Sequence, residues 1–161
     1  MHRLLSTVLL LAWGLWFGAI VMVFVAVTSL FTTFEDQRAV AGAAAAGIFR
    51  RFEVLQVIAA GVALLATIAL WLRASRAKGT RVILMAVVIA TAGAITSATV
   101  ITPQIDALRR AGEPSSSARF KSLHRKSSTL YTIQAGWLLT TGLLLPGFLR
   151  RTETSAATAP A

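Results

Sequence analysis

The stretch LLSTVLLLAWGLWFGAIVMVFVAVTSLF, at residues 4–31, contains no charged side chain. Three later stretches share this property, and they lie at 54–72, 82–105 and 127–149. An α-helix rises about 1.5 Å per residue, so about 20 residues cross a hydrocarbon core of about 30 Å. All four stretches are close to this length or exceed it. The sequence therefore predicts an all-α fold, a polytopic four-helix bundle in a membrane.

Composition supports a membrane environment. Charged residues make up 14% of the chain and hydrophobic residues 56%, with a mean hydropathy of +0.72. Soluble domains carry about a quarter charged residues. A soluble chain of 161 residues has too small an interior to remove four such stretches from water.

We expect a single transmembrane domain over residues 1–151. Its spans are predicted at about 4–31, 52–72, 82–101 and 127–149. Between spans 1 and 2, the stretch AVAGAAAAGIF at 39–49 favours helix but is too short and too weakly hydrophobic to cross, so an extra interfacial helix is predicted there. Residues 152–161 are small and polar, and we expect a disordered tail.

Small residues indicate where the spans approach one another. Gly14 and Gly18 form a GxxxG spacing in span 1, and Gly93 lies in a span rich in alanine, serine and threonine. Glycine at such spacing lets the backbone of a neighbouring helix come close. We expect these three glycines to pack against other helices of the bundle.

The basic residues lie in the segments that flank the spans. The net charge of +10 is therefore read as attraction to anionic lipid headgroups rather than to nucleic acid. Four spans place both termini on one side, together with the short loop at 73–81, which holds four basic residues. The total of basic residues on each side does not decide the orientation. We predict cytoplasmic termini, on the compactness of that loop, in a bacterial inner (plasma) membrane.

Polar residues gather at the predicted non-cytoplasmic ends of spans 2, 3 and 4. They form a candidate polar cluster of Arg50, Glu53, Pro103, Gln104, Asp106, His124 and Ser127. Ionisable residues near a membrane core are often functional. The cluster is interpreted either as a cap that ties the helix ends together or as an interaction site.

Two amides lie deeper, at Gln56 in span 2 and Gln134 in span 4. An unpaired amide is costly in hydrocarbon. We expect them either to hydrogen-bond between helices or to line a polar path.

Several kinds of chemistry are excluded by what the sequence lacks. There is no cysteine, and the only histidines are His2 and His124, predicted on opposite sides. No GxxxxGK[ST] phosphate loop and no GxSxG nucleophile motif occurs. We therefore expect no metal site, no cofactor and no enzymatic activity.

Five motifs occur in an order that resembles a known family. They are AWGLWFG at 12–18, SLF at 29–31, GIFRRFEVLQ at 47–56, ITPQIDALR at 101–109 and FKSLHRKSSTLY at 120–131. Together they resemble the small four-span family of unknown function whose animal relative is transmembrane protein 205. The resemblance assigns signature positions to the following residues: Trp13, Gly14, Phe49, Arg50, Pro103, His124 and Ser127.

The sequence departs from that family pattern in two places. Thr28 and Ser29 stand where relatives carry a proline, and Tyr131 or Thr132 stands where an asparagine is expected. The resemblance implies the architecture and no established biochemistry.

Three functions remain open from the sequence, of which an enzyme that acts on a lipid or quinone at the membrane interface has the least support. The first is a non-enzymatic bundle that acts as an accessory protein or handles a small molecule through the polar cluster. The alternative is a minimal transporter or permease that works as an oligomer, because four spans enclose little volume alone. The expected partners are membrane lipids and either further copies of the chain or another membrane protein.

Overall fold

A computed structural model describes residues 2–73 and 78–157, with side chains described at 3–73 and 81–147. It is all-helical over these ranges. A π-helical segment, Ser97–Ile101, connects two of its helices without a break. The helices are α1 (His2–Thr33), α2 (Arg38–Arg73), α3 (Lys78–Thr96), α4 (Thr102–Arg110) and α5 (Ala118–Ala157).

Within the described residues, three segments are long and apolar enough to cross a membrane. They are Arg3–Thr33, Arg38–Arg73 and Arg81–Arg110, the last of which runs through α3, the π segment and α4. Helix α5 has the length to cross, but Gln134, Pro146 and several threonines and glycines dilute its apolar stretch. Three of the four predicted spans therefore correspond to segments that are long and apolar enough to cross a membrane. The fourth corresponds to α5, whose described part is less apolar.

The outer surface of the bundle is more apolar than that of a soluble protein. Large apolar side chains face outward on every long helix, such as Phe24 on α1 and Leu143, which is 76% exposed, on α5. The polar side chains buried between the helices are Ser6, Glu53, Gln56, Thr67, Thr91, Ser97, Gln134 and Thr141. Soluble proteins bury apolar groups and rarely expose large continuous apolar surfaces. The bundle is therefore compatible with a membrane protein.

The contacts between helices fix their relative directions. Helix α2 runs parallel to α5, because Glu53 contacts Tyr131 and, one turn later, Gln56 contacts Gln134. The chain from α3 into the π segment runs antiparallel to α5, since Ala90 contacts Gln134 and Ser97 contacts Tyr131. Helix α1 packs on α2 and α5. The core between them combines alanines with larger apolar residues such as Trp16 and Leu70.

Some predicted boundaries are wrong. The separate interfacial helix at 39–49 does not exist as such, because α2 runs unbroken from Arg38 to Arg73. Its alanines have high helix propensity and no proline interrupts them, so the helix continues through Gly42 and Gly47. Helix α5 extends to Ala157, into the predicted disordered tail, whose residues 158–161 lie outside the described part. Residues 74–77 of the loop at 73–81 also lie outside it.

Of the three glycines predicted to pack against other helices, Gly93 does so, and the GxxxG pair Gly14 and Gly18 does not. A Cβ added at Gly93 would meet Leu130 at 3.6 Å, so this glycine packs on α5 as expected. Added Cβ atoms at Gly14 and Gly18 would meet nothing within 4 Å. In the described part of the chain, no other helix packs closely against the backbone at Gly14 and Gly18.

The tightest approach between helices is at Gly142, where Trp13 of α1 lies against the backbone of α5. The indole Nε1 of Trp13 donates a hydrogen bond of 2.8 Å to the carbonyl of Leu138. An added Cβ at Gly142 would come closer than 3.0 Å to three indole atoms. The hydrogen bond and the absent side chain together set the distance between α1 and α5.

We predict that Gly142→Ala destabilises the bundle by about 1–3 kcal/mol, since a rigid indole ring must move to admit the methyl group. Denaturation of the purified protein in mixed detergent micelles, followed by circular dichroism, measures the change. Gly136→Ala on the same helix is the matched control. Its Cβ meets nothing within 4 Å, so it should lose no stability. Equal stability of the two variants would contradict the packing described here.

Candidate functional site

A carboxyl group lies buried between the helices at Glu53 of α2. This residue is 6% exposed, on the α2 face that points into the bundle with Phe52 and Gln56. No salt bridge to Glu53 is formed within the described ranges. A buried carboxyl without a cationic partner is energetically expensive, so the groups that surround it decide what it can do.

Three hydroxyl groups converge on one oxygen of this carboxyl, Glu53 Oε1. Ser97 Oγ lies at 3.0 Å and Tyr131 OH at 3.2 Å, and the Thr102 hydroxyl also contacts Oε1 at hydrogen-bond distance. The Ser97 and Tyr131 hydroxyls are 2.8 Å from each other. We call Glu53, Ser97, Thr102 and Tyr131 the carboxyl–hydroxyl site. It joins α2, the π segment, α4 and α5.

The π segment is the local feature that brings two of these hydroxyls together. In an α-helix of 3.6 residues per turn, residues five apart lie about 140° apart around the axis. The π segment instead bonds the Thr102 N–H to the Ser97 carbonyl, five residues back. Ser97 and Thr102 therefore stack on one face and both reach Glu53. Such π turns occur frequently at functional sites.

Aromatic packing positions the third hydroxyl. The Tyr131 ring lies 5.8 Å from the rings of both Phe49 and Phe52, centroid to centroid. Both phenylalanines belong to α2, within one turn of Glu53. The phenol is therefore held by apolar contact along its ring while its oxygen reaches the carboxyl.

Two buried amides continue the polar region one turn deeper. Gln134 Nε2 donates to the Ala90 carbonyl at 3.1 Å and approaches Gln56 Oε1 at 3.4 Å. Gln56 Nε2 and Gln134 Oε1 are buried without a hydrogen-bond partner in the described part of the chain. Unpaired buried polar atoms are rare and costly. The pair joins α2 to α5 and α3, and it leaves one donor group and one acceptor group without a partner in the described part of the chain.

The charged groups of the predicted cluster form a separate, more exposed pair. Arg50 Nε donates to Asp106 Oδ2 at 3.1 Å, and Arg109 Nη1 lies 3.7 Å from Asp106 Oδ1. The Arg50 side chain is 66% exposed. The Arg109 guanidinium also lies 5.7 Å from the centroid of the Phe120 ring. We call Arg50, Asp106 and Arg109 the outer ion pair, and it ties α2 to α4 and the start of α5.

The predicted cluster is thus divided between two places. Glu53 belongs to the buried site, and Arg50 and Asp106 belong to the outer ion pair. Pro103, in the first turn of α4, and Gln104 are exposed, as is His124 on α5, while Ser127 is half-buried. None of these four is hydrogen-bonded to Glu53 or Asp106. Among the side chains described at 3–73 and 81–147, no three His, Cys, Asp or Glu residues could hold a metal ion together.

Ser97, Thr102 and Tyr131 were not among the residues predicted for the site. Tyr131 could have been found, because Tyr131 and Gln134 repeat the i, i+3 spacing of Glu53 and Gln56 on α5. Ser97 and Thr102 could not, since their spacing of five places them on different faces of an ordinary α-helix.

We predict that Tyr131→Phe lowers the free energy of unfolding by about 1–3 kcal/mol, because it removes a buried hydrogen-bonding group and leaves the ring contacts intact. Asp106→Asn is the control. It weakens a partly exposed pair, which is worth about 0–1 kcal/mol. Detergent denaturation followed by circular dichroism compares the two. A Tyr131→Phe protein as stable as the wild type would show that the hydroxyl contributes nothing to the bundle.

Comparison with known proteins identifies a family. A family model described as a domain of unknown function (DUF4149) matches residues 11–114. The match includes Glu53, Ser97 and Thr102 and ends before α5. It supports an uncharacterised, membrane-like family, without extending to a transmembrane protein 205-like assignment. No curated protein and no solved structure matches the chain. Because the family model covers more than half of the sequence, the chain belongs to the DUF4149 family.

Proposed function

We propose that this chain is a four-span integral membrane protein that handles a small polar molecule at the carboxyl–hydroxyl site, without catalysing a reaction on it. The single observation that carries the proposal is the buried Glu53 carboxyl, with three hydroxyls on one oxygen and no salt bridge in the described part of the chain. A structural contact between helices needs no ionisable group, and a buried ionisable group in a membrane helix is often part of a binding site.

The unused groups of Gln56 and Gln134 support binding rather than packing alone. Both side chains are fully buried, and one atom of each lacks a partner. They follow the carboxyl–hydroxyl site by one turn on α2 and α5. A molecule with hydrogen-bond donors and acceptors would satisfy these groups and Glu53 together.

Helix α5 is proposed as the fourth span. Ile133, Leu139, Leu143 and Leu144 are exposed on its outer surface, whereas Gln134 and Thr141 turn inward. An apolar outer face with the polar residues turned inward suits a helix surrounded by lipid. With four spans both termini share one side, and we propose that this is the cytoplasmic side of a bacterial inner membrane. The basic flanks would then contact anionic headgroups.

The order of the sequence motifs supports a further proposal, that the chain is related to the transmembrane protein 205-like family. Its Phe-x-x-Leu-His-x-x-Ser motif at 120–127 lies beyond the DUF4149 match.

A minimal oligomeric transporter is the second candidate. It is favoured by the open GxxxG face of α1, where added Cβ atoms at Gly14 and Gly18 meet nothing within 4 Å. A second copy could approach the backbone there. An accessory role with a different membrane protein would use the same exposed surfaces.

Native mass spectrometry of the full-length protein, purified in a mild detergent, tests the proposal. We predict that the wild type carries a co-purified small molecule, which Glu53→Gln reduces at least tenfold. Glutamine keeps the shape of the side chain but removes the acidic oxygen. Asp106→Asn, in the outer ion pair, should retain the molecule.

Helicity by circular dichroism confirms that each variant is folded. A wild type that carries no such molecule, or a Glu53→Gln variant that retains it fully, would contradict small-molecule handling at this site. The same spectra give the oligomeric state. A homo-oligomer supports the transporter, and a monomer speaks against it.

A further inference from the structure

We infer that Glu53 binds a proton in this packed state of the bundle and exchanges it through the end of the helices at α4. The inference rests on the proposed function and deepens it, since it names H⁺ as a ligand of the same site. It follows from the number of hydrogen bonds around Glu53 and from the charges near it.

The first argument is a count of protons. Four oxygen–oxygen contacts at hydrogen-bond distance make up the site: Glu53 with Ser97, with Thr102 and with Tyr131, and Ser97 with Tyr131. Each hydrogen bond needs one proton between its two oxygens, and a hydroxyl has one to donate. The three hydroxyls supply three protons for four contacts. A proton on the Glu53 carboxyl supplies the fourth.

The second argument concerns charge. Arg50 and Arg109 direct their guanidinium groups to Asp106, and no ion pair to Glu53 is formed in the described part of the chain. Residues 4–33 of α1 and 82–101 of α3 and the π segment contain no titratable side chain. The titratable residues nearest to the site along the elements packed against Glu53 are Arg50 and Arg51 on its own helix, Asp106, Arg109 and Arg110 on α4, and His124, Arg125, Lys126 and Tyr131 on α5. A bound proton removes the buried negative charge that none of them neutralises.

The third argument is a route for exchange. Thr102 contacts Glu53 and lies one helical turn before Asp106, on the same side of α4. The Asp106 side chain is 18% exposed, so it connects this side of α4 with the exterior. A proton that leaves the Glu53 carboxyl passes to the oxygen of Thr102 while the Thr102 hydroxyl proton passes to the Asp106 carboxylate, one turn further along α4. Asp106 then releases a proton to the exterior, and rotation of the Thr102 hydroxyl restores its hydrogen bond to Glu53. The number of protons is conserved at each step.

Infrared spectroscopy of the full-length protein in dodecyl maltoside tests this inference, because that detergent has no ester carbonyl to obscure carboxylic acids. The wild type at neutral pH should show the C=O stretching band of a protonated carboxylic acid, which shifts in D₂O and disappears as the pH is raised. Glu53→Gln should lose the band completely. Glu35→Gln, which removes an exposed carboxyl between α1 and α2, should retain the band.

Three outcomes would overturn the inference: a wild type without the band, a Glu53→Gln protein that keeps it, or a carboxylate signal that responds to Na⁺ but not to pH at constant ionic strength. The last result would make Glu53 a sodium site. Circular dichroism shows whether each variant is folded. If the band depends on Glu53 but no small molecule co-purifies, the proton site stands and the proposed handling of a small molecule fails. If a small molecule co-purifies through Glu53 but the wild type shows no protonated-carboxyl band, the proposed function stands and the proton site fails.

Discussion

A carboxyl group buried between membrane helices has to obtain its hydrogen bonds from the protein, because hydrocarbon offers no donor or acceptor. Glu53 meets this requirement with hydroxyls from the π segment, from α4 and from α5. Three different parts of the chain are thereby held at one point. The parallel register of α2 and α5 and the π turn between α3 and α4 together make this arrangement possible.

A second point of attachment lies towards the opposite end of α5. There the Trp13 indole donates to the Leu138 carbonyl and lies over Gly142. Elsewhere in the core the helices meet through alanines and larger apolar side chains. Alanine allows a close approach, but it does not determine which helix faces meet. A helix bundle in lipid gains nothing from moving apolar surface out of water, so packing and hydrogen bonds hold it together. These polar contacts therefore determine which faces meet.

Much of the architecture was accessible from the sequence, because the absence of charge over long stretches is a direct consequence of a hydrocarbon environment. The inward position of Gln56 and Gln134 followed from the cost of an unpaired amide. Only part of the candidate site could be predicted from the sequence. Glu53 was identified, but it was grouped with Arg50, Asp106 and His124, which belong to one end of the bundle. Linear proximity to the ends of the spans does not distinguish a buried residue from an exposed one.

The remaining site residues were hidden for a specific reason. Ser97 and Thr102 share a face only because the segment between them is π-helical, and no residue pattern in SATVI at 97–101 marks that turn. Likewise, the alanines at 41–46 favour helix equally at the membrane surface and within a long helix. The structure of α2 depends on its packing against α1, which propensity does not describe.

The proposed four-span architecture depends most on whether α5 crosses the membrane. Tyr131 and Gln134 belong to α5, and they contact α2 and α3 in the interior of the bundle. The chain contains no cysteine, so single cysteines can be introduced without altering a native one. Labelling with a membrane-impermeant maleimide in vesicles of each orientation then reports the side of each position. The account predicts that Gln37→Cys and Ser116→Cys are labelled from one side, and His2→Cys and Thr154→Cys from the other. Labelling of Ser116→Cys and Thr154→Cys from the same side would contradict it.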